Sequence, residues 1–107
     1  MLFYKSNLNF SIEEMARQNN ALVYFKTYLN PEKVHDSCTF STNESTLSIH
    51  DFIITKYHDK YLFAPEEDFL FIDDADGRKL SVSGQVSLIA GRSYYVYVVF
   101  RYMFLLV

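Results

Sequence analysis

The chain has 107 residues, a formal net charge of −3 and an aromatic share of 18% carried by ten Phe and nine Tyr without a single Trp. That length suits one domain with one hydrophobic core, so the expectation is a single domain over residues 1–107. The acidic balance excludes a protein whose task is to neutralise phosphates along a duplex, and the single Cys38 excludes an internal disulfide.

The first predicted element is a helix. Ser11-Ile12-Glu13-Glu14 has the form of a capping box, and Phe10 with Met15 stands at the two positions of a hydrophobic staple. Ile12, Met15, Ala16, Leu22, Val23, Phe25 and Leu29 share one broad helical face, so the helix is expected to run to about Leu29, where Asn30-Pro31 stops it. The alternative is a shorter helix ending near Gln18, with Gln18-Asn19-Asn20 as a turn and a strand through Val23, Tyr24 and Phe25. Residues 30–48 are the most polar part of the chain and read as a loop around Phe40, with room for one short strand. Leu47 to Tyr57, with Leu47, Ile49, Ile53 and Ile54, reads as a strand, and His58-Asp59-Lys60 as a turn into Tyr61-Leu62-Phe63. Phe69-Leu70-Phe71-Ile72 is a further strand, followed by a hairpin turn around Asp76-Gly77 into Leu80 and Val82. Gln85 to Val96 has the pattern of a short strand, a turn at Ala90-Gly91 and an aromatic strand, as in many β-sandwich modules. The stretch from Ser93 to Val107 holds Arg101 as its only charge and is strand material.

Alternation divides that last segment. Tyr94, Val96, Val98, Phe100, Tyr102 and Phe104 form the better core face, while Tyr95, Tyr97, Val99, Arg101 and Met103 form the other. Two Tyr and an Arg on one strand face have the composition of an interface hot spot. The fold class expected is therefore α+β, one N-terminal helix packed on an antiparallel sheet of about five strands, or else a small β-sandwich with one helix. No βα alternation is present, which removes the nucleotide site of doubly wound sheets.

Candidate chemistry is sparse. Cys38, His35, His50 and His58 have metal-ligand character, but their spacing matches no zinc signature, and a lone thiol is more often buried than nucleophilic. Asp74-Ala75-Asp76-Gly77 resembles part of a calcium loop, yet Ile72 and Ser83 stand where acidic ligands belong. No metal, cofactor or catalytic residue is expected. Seven carboxylates, Asp59, Glu66, Glu67, Asp68, Asp73, Asp74 and Asp76, lie within one stretch against the single Lys60. They read either as solvated turns or as a negative surface for a basic partner.

The function expected is that of a non-catalytic protein–protein interaction module, such as a small inhibitor, immunity or accessory protein. Its partner-binding residues would be Glu66, Glu67, Asp68, Asp73, Asp74, Asp76, Tyr95, Tyr97 and Arg101. A β-sandwich module for a carbohydrate ligand, with Tyr rings stacking on sugar faces, is the alternative. The expected setting is cytoplasmic, since Met1 to Asn9 lacks the apolar run of a secretion signal and no segment suits a membrane span. Nucleic acid is not an expected partner, and a homodimer through an apolar C-terminal strand at a sheet edge is an additional expectation.

Overall fold

The computed structural model describes residues 12–101, apart from the side chains of Ile12 and Glu67. The capping box at Ser11, the staple residue Phe10 and the strand face from Tyr102 to Phe104 lie outside the described residues.

Helix α1 spans Ile12–Arg17, six residues, with acidic Glu13 and Glu14 in its first turn and Arg17 in its last, as the helix dipole favours. It ends where Asn19 takes a left-handed backbone with φ of 57°, a conformation an Asn side chain tolerates. Strand β1 then runs Asn20–Lys26. The long helix to Leu29 is thus corrected. Val23, Tyr24 and Phe25 prefer extended backbone, and as a strand Ala21, Val23 and Phe25 are buried together on one side.

Strand β2, Asp36–Ser41, lies antiparallel to β1, with Val23 opposite Cys38 and Ala21 opposite Phe40. Next comes helix α2, Thr46–Tyr57, in the segment read above as a strand. Its β-branched residues gave that expectation, but burial follows helical spacing: Thr46, Ile49 and Ile53 are buried, and Tyr57 continues the stripe to meet the Phe25 ring at 4.9 Å. Ser45 starts the helix as its N-cap, its hydroxyl accepting from the Ser48 amide at 3.2 Å. The buried Thr46 hydroxyl donates to the carbonyls of Ser81 and Val82 and accepts from the Val86 amide, pinning the helix start to the segment after β5.

The His58-Asp59-Lys60 turn joins α2 to a two-residue strand β3, Tyr61–Leu62. A single 3-10 turn at Glu66–Asp68 leads into β4, Leu70–Asp73, which forms the expected hairpin with β5, Lys79–Ser81. The turn between them is made by its aspartates. Asp73 Oδ1 accepts from the Ala75 amide, Asp76 Oδ1 accepts from the Arg78 amide, and Gly77 supplies a φ of 73°. The short strand expected before the Ala90-Gly91 turn does not form. Ser87 makes one isolated bridge to Ser45, and Val86 exchanges hydrogen bonds with Thr46, so this backbone is occupied by α2. The turn at Ala90-Gly91 is present, with the Arg92 amide bonded to the Ile89 carbonyl.

Strand β6, Ser93–Tyr97, and the short β7, Val99–Phe100, complete the described chain. The five-stranded sheet has the order β2-β1-β6-β4-β5, while β3 pairs with β7 in a separate two-stranded ladder. The sheet is mixed instead of wholly antiparallel, because β6 runs parallel to β1, with Val23 beside Tyr94 and Phe25 beside Val96. Strand β6 is consequently central and paired on both sides, whereas the short β7 pairs with β3 alone.

The two faces of β6 follow the expected alternation. Tyr94, Val96 and Val98 are buried, while Tyr95 and Tyr97 are half-buried. The core joins Ala21, Val23, Phe25, Phe71, Tyr94 and Val96 of the sheet to Ile49 and Ile53 of α2. A run of ring contacts extends it from Phe25 through Tyr61 to Phe100, and from Phe63 through Phe69 to Phe71. The buried Tyr61 keeps its hydroxyl satisfied by donating to Asp36 Oδ2 at 2.8 Å. The result is a small α+β domain with two helices and a mostly antiparallel sheet.

Candidate functional site

Residues on β1 and β6 that do not face the core alternate with those that do, and pairing brings them side by side. In the parallel register Tyr24 stands beside Tyr95, and Lys26 beside Tyr97. The Tyr24 and Tyr95 rings stack at 5.9 Å, Tyr95 meets Tyr97 edge-on at 5.5 Å, and Tyr97 stacks on Tyr28 at 4.0 Å with only 18° between the ring planes. Lys26 Nζ lies 4.2 Å from the Tyr95 centroid, close enough for a cation–π contact. Four tyrosines and a lysine thus make one connected row on the sheet face opposite α2. Tyr28, at its outer end, is 73% exposed.

Beside this row lies a groove of about 520 Å³, with Tyr28, Tyr95 and Tyr97 on one side and Leu70, Ile72 and Lys79 on the other. Asp68, in the 3-10 turn, also lines it. At the other end of the row stands Asp74; burial first, and then the neighbouring Asp74 carboxylate, push the Tyr24 hydroxyl well above its ordinary pKa. Burial and the neighbouring Tyr97 also raise Tyr95. The Tyr24 and Tyr95 hydroxyls therefore stay protonated and able to donate at ordinary pH.

The sequence-derived residues separate into groups. Tyr95 and Tyr97 are in the row, Asp68 and Asp74 adjoin it, and Glu66 is exposed on the same short turn as Asp68. Asp73 is not on the surface at all. Its carboxylate is 0% exposed and binds the partly exposed Arg92 at 2.7 Å, so Asp73 serves an intramolecular ion pair where a partner contact was expected. Asp76 serves the same hairpin turn, with Arg92 3.7 Å from its second oxygen. Arg101 is also reassigned. The strand breaks at Val98, and the Arg101 guanidinium donates to the His58 carbonyl at 2.7 Å, so it clasps the turn after α2 and does not extend the tyrosine row. The Glu67 side chain lies outside the described residues.

Cys38 and the three histidines do not converge. Cys38 is on the core side of β2 with Sγ 3.0 Å from the Tyr57 hydroxyl, and burial raises its thiol pKa, a poor setting for a nucleophile. His35 meets Phe100 edge-on, His50 meets Phe69 edge-on, and the exposed His58 bonds the Thr55 carbonyl. In the Asp-rich hairpin Arg92 lies against both Asp73 and Asp76.

Sequence reasoning missed Tyr24, Lys26 and Tyr28, because β1 was placed in a helix. Their i, i+2, i+4 spacing was the signal: it puts all three on one side of an extended chain. Among the described residues no helix is long and apolar enough to cross a membrane. Comparison with protein-family models, with curated proteins and with solved structures gives no match to this chain.

Proposed function

We propose that this protein is a non-catalytic interaction module that holds a protein partner against the tyrosine row, in the manner of a small inhibitor, immunity or accessory protein. The observation that supports this most is the continuity of Tyr24, Tyr95, Tyr97 and Tyr28, the last three of which line an open groove. Aromatic rings that are already packed lose little freedom on binding and offer large apolar area with a polar tip, which is what interface anchors require. Asp68 in the groove and Asp74 beside Tyr24 favour a partner segment that carries Arg or Lys, whose guanidinium or ammonium would find both ring faces and carboxylates.

The test is affinity purification from the native host with the wild-type chain, the double variant Tyr28→Ala/Tyr97→Ala and the charge reversal Asp68→Lys/Asp74→Lys, each checked for folding by circular dichroism. A partner retained by the wild type and lost by both variants is the expected result. Equal recovery of the same partner by all three would overturn the assignment to this face. A stacked, exposed pair such as Tyr28 and Tyr97 could also receive a sugar ring, so a glycan array is the companion measurement: a saturable carbohydrate hit lost in the double variant would favour the ligand-binding alternative.

A further inference from the structure

His50 and Asp51 of α2 and Glu66 of the 3-10 turn come together away from the tyrosine row. One donor atom of each lies within 4.8 Å of the other two, and His50 Nδ1 is 3.0 Å from Asp51 Oδ1. Ligands of a tetrahedral zinc ion stand about 3.3 Å apart, from metal–ligand bonds of about 2.0–2.1 Å, so small side-chain rotations would bring these three onto one ion. The donor set is one imidazole nitrogen and two carboxylates, which suits a divalent first-row ion and neutralises its charge.

The ligands are also held in place by a shared neighbour. Phe69 is buried in the core, its ring meets the His50 ring at 4.6 Å and 88°, and its amide donates to the Glu66 carbonyl. One anchored residue therefore fixes both the imidazole and the backbone that carries the distant carboxylate. The His50 side chain is 12% exposed while Asp51 and Glu66 reach solvent, an arrangement with an entry path and room for water at the remaining positions.

We propose that His50, Asp51 and Glu66 form a three-ligand site for a divalent transition-metal ion, with Zn²⁺ as its representative. Bound there, the ion ties the 3-10 turn, and with it the groove wall that contains Asp68 and Phe69, to α2.

The experiment is titration of the full chain with ZnCl₂ by calorimetry, with MgCl₂ as the hard-cation control, and a Co²⁺ absorption spectrum to report coordination. The wild type is expected to bind one equivalent of Zn²⁺ in preference to Mg²⁺. His50→Gln and Glu66→Gln should each weaken binding at least about tenfold, whereas His58→Gln should not, because loss of one of only three protein ligands leaves an incomplete shell. Glu66 is exposed, so Glu66→Gln keeps the test valid even if the His50 variant does not fold. Unchanged affinity in Glu66→Gln, or no Zn²⁺ uptake by the folded wild type, would overturn the proposal.

Discussion

Arg92 reaches the buried carboxylate of Asp73 at 2.7 Å, and through it the turn that precedes the central strand is fastened to the last residue of β4. Backbone bonds reinforce the junction: the Asp73 amide donates to the Arg78 carbonyl and the Asp74 amide to the Ser93 carbonyl. Burial acts to raise the Asp73 pKa, but the Arg92 guanidinium and the Ala75 amide overcome it and hold the carboxyl below its ordinary value.

The sign of the pH dependence follows. With the folded pKa below the unfolded value of about 3.9, the contribution of Asp73 is complete above about pH 4 and is lost as pH falls through the folded value. The melting midpoint of the wild type should therefore fall more steeply in acid than that of Asp73→Asn, and the variant should be less stable at neutral pH. Parallel curves would contradict this. Arg92→Ala should destabilise more than Arg92→Lys, because the alanine leaves a buried carboxylate without its cation.

Thr46 offers a second stability test. Its buried hydroxyl serves two carbonyls and one amide, so Thr46→Val, nearly unchanged in shape, should cost about 1–3 kcal/mol in urea unfolding. Thr46→Ser, which keeps the hydroxyl, should recover most of the hydrogen-bond loss.

Gly77 separates backbone strain from packing. Nothing lies within 4 Å of where its Cβ would be, yet its φ is 73°. Gly77→Ala should destabilise by about 1–2 kcal/mol, the cost of a left-handed alanine, and Gly77→Asn by less. Equal stabilities in denaturant titration would show that the turn relaxes around the substitution.

Cys38 should resist modification. Burial of the Sγ and its elevated pKa predict that Ellman's reagent reacts slowly with the native protein near pH 8 and rapidly once urea unfolds it. Fast labelling of folded protein would place the thiol outside the core.

The terminal aromatic segment was legible from its residues because one physical rule governed it. Alternation predicted Tyr94, Val96 and Val98 inward and Tyr95 and Tyr97 outward, and the hairpin at Asp76-Gly77 followed from turn chemistry. Two elements were misread for the same cause, a conflict between local preference and period. Ile49 and Ile53 favour strands by branching, but their spacing with Thr46 and Tyr57 is helical; Val23 and Phe25 fall on a helical face with Ile12 and Met15, but their branching and aromaticity suit a strand. The parallel pairing of β1 and β6 was illegible, since neither strand carries a mark of which way its neighbour runs. For the candidate site, Tyr95 and Tyr97 were found, while the burial of Asp73 depended on Arg92, a partner nineteen residues away that composition does not reveal.

The pairing of Val23 with Tyr94 joins residues about seventy positions apart in the middle of the sheet. The central ladder therefore cannot nucleate from a local hairpin; its loop-closure cost must be met before its hydrogen bonds exist. Folding should be slow for a chain of this size and cooperative from edge to edge. Fragments cut within α2 should each be unstructured, and should regain the native signal only on mixing.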